Sequence, residues 1–266
     1  AYNRHMISYL KTYERLGLKA IPMKADTGPI GGDYSHEFLV LASTGESQVF
    51  YDINISNLSL GDNIIEYDNY SNLKSIVNKF TTPYARTDET HDVALFEKIP
   101  KSRRMTGRGI EVGQIFYFGT KYSEAMGAKI NLPSGKRIPV EMGSHGIGVS
   151  RLVGALIEAN HDQHGIIWPK AVSPFDAVIV NLKQNDKKCH EISIKIYENL
   201  KVHGFDILYD DRVESVGAKF SSMDLIGIPI QIIVGPRGLS EGIVEIKFRK
   251  DGIRKNIPLS DNFLEL

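Results

Sequence analysis

The stretch 141–158, EMGSHGIGVSRLVGALIE, leaves the chain few choices of local structure. Val140 and Met142 close an extended segment, Gly143, Gly146 and Gly148 supply a turn, and an amphipathic helix follows. Val149, Leu152, Val153, Leu156 and Ile157 recur at helical spacing and predict one buried face. Arg151 lies in the first turn of that helix, where the helix dipole is positive and a cation is mildly unfavourable. An anion bound nearby removes the conflict, since helix amino ends attract phosphate. A glycine turn with a solvated arginine fits these residues. So does a nucleotide site, with the glycines admitting a base and Arg151 meeting a phosphate. A dinucleotide fingerprint fits less well, because its third glycine would fall at position 151 and the close helix–strand approach is lost.

A chain of 266 residues can bury two cores. Lys+Arg and Asp+Glu balance at 32 each, so no bulk charge steers the chain to nucleic acid or membrane. Any nucleic-acid contact must come from placed residues. The single Cys189 excludes an internal disulfide and a Cys-rich zinc site, and it reads as an inert thiol on a helix. The eight His residues form no HExxH pair. With no apolar run long enough for a bilayer and no secretory signal, a soluble, cytoplasmic protein without membrane contact is expected.

Residues 2–16 set Tyr2, Met6, Tyr9, Leu10, Tyr13 and Leu16 on one helical face, with Gly17 suited to the stop. A short strand is expected at 18–24, then the loop DTGPIGGDYSHEF (26–38), rich in conformationally free glycine. Strands at 38–41 and 48–53, joined at Thr44-Gly45, read as a hairpin. Asp33 and Ser35 suit turn-capping. His36 and Glu37 point to opposite faces of an extended segment, so at most one faces a ligand. Residues 56–100 are polar and Asn-rich; with helices near 73–80 and 91–98, they read as a short insert without chemistry.

In 107–130, Glu111 and Gln114 are the polar exceptions of an apolar strand interrupted near Gly113. Each, if buried, needs a structural partner or a ligand. A carboxylate can hold Mg2+ between phosphates, and an amide can bond an amino or carboxyl group. A cross-strand hydrogen bond would satisfy either equally well. A short helix at 122–128 and a strand at 136–142 lead into the glycine motif.

The polar segment 160–174 contains two prolines and reads as a domain junction, where His161 and His164 lack the further ligand that a metal needs. Beyond it, strands and helices alternate: strand 177–182, helix 187–203, strand FDILYDD, helix 216–226 and strand IPIQIIVG. A hairpin turning at Asp251-Gly252 follows. This predicts a small sheet with parallel pairing and helical crossovers. Residues 175–266 carry 13 Lys+Arg against 14 Asp+Glu, which excludes a nonspecific polyanion binder.

DTGPIGGDYSHEF, GIEVGQIFYFGTKYSEAM, EMGSHGIGVSRLVGALIE and YDDRVESVGAKFSSMDLIGIP, in that order, resemble the later part of bacterial-type prolyl-tRNA synthetases, which are class II aminoacyl-tRNA synthetases. The resemblance covers nearly the whole chain apart from 56–100, and four motifs in order are far more specific than one glycine motif. It implies an α+β fold: the class II antiparallel sheet with helices, incomplete, at 1–171, then a smaller α/β anticodon-binding domain at 175–266. Residues 146–151 match the family's third signature motif. The resemblance therefore implies that Arg151 contacts the ATP phosphates and that Gly146 and Gly148 admit the adenine. It places Glu111 and Gln114 beside ATP, with Glu111 as the Mg2+ ligand and, with Arg151, the catalytic pair. Gln114, Phe116, Ser144 and His145, together with His36 or Glu37, would border the proline pocket, with Tyr117 near the ring. Asp211, Arg212, Lys219 and Asp224 would read anticodon bases, whose splayed edges suit charged side chains.

The implied reaction joins proline to tRNA(Pro) through prolyl-adenylate, in a family whose intact members form homodimers. Positioning and charge neutralisation carry such chemistry. The first two class II motifs are expected before Ala1, so this chain alone is not expected to form the adenylate. Residues 56–100 look too short for the large editing domain of many bacterial relatives, so no hydrolysis of mischarged alanyl-tRNA is expected. A non-catalytic tRNA-binding or regulatory module made from synthetase parts is the alternative, and a sister synthetase for another amino acid a weaker one.

Overall fold

Helix α1 (Tyr2–Arg15) forms on the expected apolar stripe and buries Met6, Ile7, Tyr9, Leu10 and Tyr13. Gly17, at φ 75°, ends it as expected, and the Leu18 N–H reaches back to the Tyr13 carbonyl at 2.9 Å. The chain continues through β1 (Ala20–Lys24), β2 (Tyr34–Leu41), β3 (Ser47–Asp52), α2 (Tyr70–Thr81), β4 (Ala85–Thr87), α3 (Val93–Phe96) and β5 (Arg104–Gly119). It then forms α4 (Lys121–Ala125), β6 (Lys129–Asn131), β7 (Arg137–Pro139), β8 (Met142–Ile147) and α5 (Val149–Ala159). The computed structural model describes residues 1–32, 34–61 and 64–264, so Asp33, expected as a turn cap, lies outside the described residues. Its contacts divide it into two compact units, Ala1–Ala159 and Asn160–Leu266.

In the first unit the strands run in the order β2-β1-β4-β3-β5-β8, and β2 also pairs with β5. Five strands thus form a ring, with β8 attached outside it on β5. Ile21, Met23, Leu39, Val49, Tyr51 and Ala85 come together as one core cluster of these strands. The expected insert at 56–100 proves integral to this arrangement. β4 pairs with both β3 and β1, and α2 buries Leu73, Ile76, Val77 and Phe80. Three-residue strands carry too little periodicity to be recognised; the neighbours decide them.

β5 is 16 residues long and serves two neighbours on one edge. β3 pairs with its first part as far as Gly109, and β8 pairs from Gly113 onward. β2 lies along the other edge, with a register shift after Phe38. The expected single strand at 136–142 is instead β7, in a separate hairpin with β6, followed by β8.

The second unit contains β9 (His161–Asp162), β10 (Gly165–Ile166), β11 (Ala177–Asn181), α6 (Lys187–Val202), β12 (Ile207–Asp210) and α7 (Val216–Ile226). It ends with β13 (Ile230–Val234), α8 (Pro236–Ser240), β14 (Ile243–Phe248) and β15 (Arg254–Pro258). The sheet order is β12-β11-β13-β14-β15, parallel among the first three and antiparallel at the hairpin edge, as the alternation predicts. β11 and β13 are buried at every residue, the signature of parallel strands covered on both faces. Segment 160–174 packs with this unit: Arg249 clasps Asp162 with two bonds of 2.7 and 2.9 Å, and the Trp168 indole donates to the Ile226 carbonyl.

Candidate active site

Residues directly opposed in antiparallel strands share a face. The registers of β2, β5 and β8 set Ser35, Phe116 and Ser144 in one row, and Glu37, Gln114 and Gly146 in the next, on the same face. Ser144 and Gly146 are exposed there, and Glu37 and Gln114 half-buried, so this face is open to a ligand. Gln114 Nε2 donates to Ser35 Oγ at 2.9 Å, which gives the amide a structural partner.

His36, Ile115 and His145 occupy the opposite face, beneath α1. The Tyr2 hydroxyl and His36 Nδ1 share a hydrogen bond of 2.7 Å, and His5 stacks on His145 with ring centroids 3.8 Å apart. The two-residue repeat of a strand separates His36 from Glu37 and His145 from Ser144. The registers thus put Glu37 on the face of Gln114, Phe116 and Ser144, and His36 and His145 on the face that meets α1. Phe116, Tyr117 and His145 also line a cleft of about 660 Å³ together with Tyr2, Arg4 and Asp68.

The glycine motif also departs from expectation. Gly143 and Gly146 lie inside β8 and not in a turn, and neither they nor Gly148 has a positive φ. Their small size matters instead. A Cβ on Gly143 would sit 2.6 Å from the Phe116 carbonyl oxygen, whereas one on Gly146 would meet nothing within 4 Å. Gly146 leaves a bare patch of backbone on the open face.

Arg151, in the first turn of α5, reaches β5 where its partner strand changes. Its Nη1 donates to the Glu111 carbonyl oxygen at 2.8 Å and lies 3.4 Å from Glu111 Oε2 and 4.0 Å from Glu46 Oε1. Burial, followed by the negative charges of Glu111, Glu89 and Glu46, pushes the Glu37 carboxyl from 4.5 up to about 7. On the other face, burial and then the charge of Lys24 lower His36 from 6.5 to about 4.

These two shifts set opposite pH trends. A raised carboxyl binds its proton more tightly in the folded state, so its contribution is full below pH 4.5 and is lost as pH rises through about 7. A lowered imidazole loses stability as pH falls from 6.5 through about 4. Glu37→Gln is expected to remove the alkaline loss and leave the acid one. Urea unfolding of both proteins between pH 4 and 8 checks this; parallel stability curves would rule it out.

Hard carboxylate oxygens at Glu111 suit a divalent cation, and their crowding with Glu37 and Glu46 shows an excess of negative charge there. Among the described residues no group of three or more His, Cys, Asp or Glu converges on one metal position. Mg2+ is usually held by one or two carboxylates plus substrate phosphates, and Glu111 offers one such donor.

In the second unit, the four expected base readers separate. Asp211 and Arg212 are exposed near the end of β12. Lys219 is 1% exposed, its Nζ 3.1 Å from the Asp210 carbonyl oxygen and 3.4 Å from Asp210 Oδ1. Arg212 clasps the same carboxylate with two bonds of 2.9 Å. Burial pushes Asp210 upward, but the bonds from Arg212 and the charge of Lys219 outweigh it and hold it below the usual range. Lys219 is thus corrected from an exposed reader to a buried counter-ion. Asp224 is likewise engaged, bonding Lys247 Nζ at 2.6 Å and Gln231 Nε2 at 2.7 Å. The Asp210 charge that organises this corner carried no signal in sequence beyond its place at the end of an apolar strand.

Residues 176–264 match the family described as anticodon binding domain. The proline–tRNA ligase of Paracoccus denitrificans is 63% identical over 252 residues, 95% of this chain and 56% of that protein. Its counterpart in Roseobacter denitrificans is 60% identical over 258 residues, 97% of this chain and 57% of the relative. The chain therefore spans a little over half the length of these relatives. Among solved structures, prolyl-tRNA synthetase from Cryptosporidium parvum, complexed with L-proline and AMP, has TM-score 0.64 at 16% identity. The match covers 96% of this chain and 41% of that one. The Giardia lamblia prolyl-tRNA synthetase in complex with prolyl-adenylate has TM-score 0.62 at 18% identity over 96% of this chain and 43% of the other. At such identities the two structures show a shared fold.

Proposed function

Because the chain belongs to the proline–tRNA ligase family over the 95% of its length that relatives match at up to 63% identity, we propose that it forms part of an enzyme ligating proline to tRNA(Pro) through prolyl-adenylate. The observation that carries this reading is the open face on which Glu37, Gln114, Gly146 and Ser144 lie together, with Arg151 beside it over Glu111. ATP would lie over Gly146 with its adenine on the bare backbone, and the Arg151 guanidinium would meet a phosphate. Gln114, Glu37 and Ser144 would hold the polar ends of proline, with Phe116 near the ring.

In the first step a proline carboxylate oxygen attacks the α-phosphorus of ATP, and pyrophosphate leaves with the electrons of the broken P–O bond. In the second, a terminal ribose hydroxyl of the tRNA attacks the prolyl carbonyl and AMP leaves. The side chains take no covalent part. Arg151 offsets negative charge on the triphosphate, and the strands hold the reactants in line. Glu111 would hold Mg2+, which would supply further charge neutralisation. In the second unit, Asp211 and Arg212 are the exposed candidates for anticodon contact. Homodimerisation is proposed for the whole protein, and among the described residues no helix is long and apolar enough to cross a membrane.

Proline-dependent ATP–pyrophosphate exchange and prolylation of tRNA(Pro) by the full-length protein test this function; exchange driven by another amino acid would overturn it. The glycines supply a sharper check. Gly146→Val is expected to leave Tm unchanged and raise KM for ATP, because a Cβ there meets nothing within 4 Å and would stand where the adenine is proposed to lie. Gly143→Ala is expected to lower Tm through its clash with the Phe116 carbonyl oxygen. Equal effects of both on Tm would count against an ATP role for Gly146.

A further inference from the structure

The 42–46 turn, between β2 and β3, lies against β5 where the strand changes partners. On that edge β3 pairing ends at Gly109 and β8 pairing begins at Gly113. The Glu111 peptide groups fall between the two and are met by side chains: the N–H donates to Glu46 Oε1 at 3.3 Å, and the carbonyl oxygen accepts from Arg151 Nη1 at 2.8 Å. The turn itself is clamped. Arg108 donates to the Gly45 and Glu46 carbonyl oxygens at 2.5 and 2.9 Å, and a Cβ on Gly45 would come within 2.4 Å of the Gly109 backbone. Thr44 Oγ1 donates to Glu158 Oε2 at 2.9 Å, tying the turn to the helix that carries Arg151.

We propose that Glu46 is a positioning residue for Arg151, holding its guanidinium toward the phosphate side of the open face without touching substrate. This rests on the ATP reading given above. Among the described residues the polar contacts of the guanidinium run through Nη1, which leaves the Nε and Nη2 edge to a phosphate. A long flexible side chain fixed in this way loses less freedom when an anion binds. A stabilising role explains Glu46 poorly. Glu46 and Arg151 are 56% and 52% exposed and 4.0 Å apart, a geometry in which ion pairs add little. Glu46 also adds negative charge to a neighbourhood already holding Glu37 and Glu111.

The test is a double-mutant cycle in the full-length protein, read by ATP–pyrophosphate exchange and by Tm. Glu46→Ala is expected to lower kcat/KM for ATP by about tenfold, roughly 1.4 kcal/mol of transition-state stabilisation. KM for proline and Tm should stay unchanged. Glu46→Gln should recover part of the loss, since its amide oxygen still accepts the Glu111 N–H. Adding Glu46→Ala to Arg151→Ala should cost nothing more. If Arg151→Ala is severe and Glu46→Ala stays within about twofold of the parent, or its cost adds in full to that of Arg151→Ala, the inference fails alone. A loss that follows a fall in Tm would also overturn it. If Arg151→Ala leaves exchange intact, the phosphate reading fails and this inference with it.

Discussion

Arg151→Ala in the full-length protein is expected to lower proline-dependent ATP–pyrophosphate exchange by about 10² to 10³-fold, the usual cost of removing a donor aimed at developing charge. The fold should hardly notice. The side chain is 52% exposed, and its contacts to Glu111 and Glu46, at 3.4 and 4.0 Å, are of a kind that contributes little at the surface. Water can replace the guanidinium at the Glu111 carbonyl oxygen. Tm measured alongside the kinetics therefore separates a role in chemistry from a role in packing. Arg151→Lys is a second probe: it keeps the charge but loses the planar fork, and should fall between parent and alanine variant. Exchange within a few-fold of the parent for Arg151→Ala would remove the phosphate contact from the mechanism.

The second large effect belongs to the other unit. Asp210→Ala is expected to destabilise it by about 3–5 kcal/mol, because it leaves the Lys219 ammonium buried without its counter-charge. Lys219 is 1% exposed, and it also donates to the Asp210 carbonyl oxygen. Pairing Asp210→Ala with Lys219→Met should restore much of the stability, since a buried ion pair replaced by apolar groups of similar volume is often neutral. Urea unfolding of the three variants checks both statements; an Asp210→Ala protein as stable as the parent would refute them. Lys219→Met alone should lower stability and, while folded, bind tRNA normally. Arg212→Ala should weaken tRNA charging without altering proline activation. Equal loss in both reactions for Arg212→Ala would point to instability instead.

Where local pattern and tertiary demand agree, the elements were legible. The helix expected at 216–226 is α7 residue for residue, closed by Gly227 at φ 82°. The Asp251-Gly252 turn also forms, with Gly252 at φ 71°. α1 follows from its apolar stripe and Gly17, and the helix expected at 187–203, before Gly204, is α6. β4 was not legible, since Ala85–Thr87 is too short to show alternation and becomes a strand by lying between β3 and β1. Nor was the glycine motif, because glycine suits both a turn and a strand that must approach another backbone closely. Gly143 takes the second role against Phe116.

The same division runs through the site. From the chain alone came the apolar periods, the glycine positions and the rule that His36 and Glu37 must face opposite ways, because neighbouring residues of a strand always do. Tertiary structure chose between them. α1 covers the His36 face and leaves Glu37 with Gln114 on the open one. It also set Arg151 over Glu111, 40 residues away in sequence, and buried Lys219 against Asp210. Burial and charge pairing depend on which elements meet, and that choice belongs to the folded chain as a whole and not to any local stretch of it.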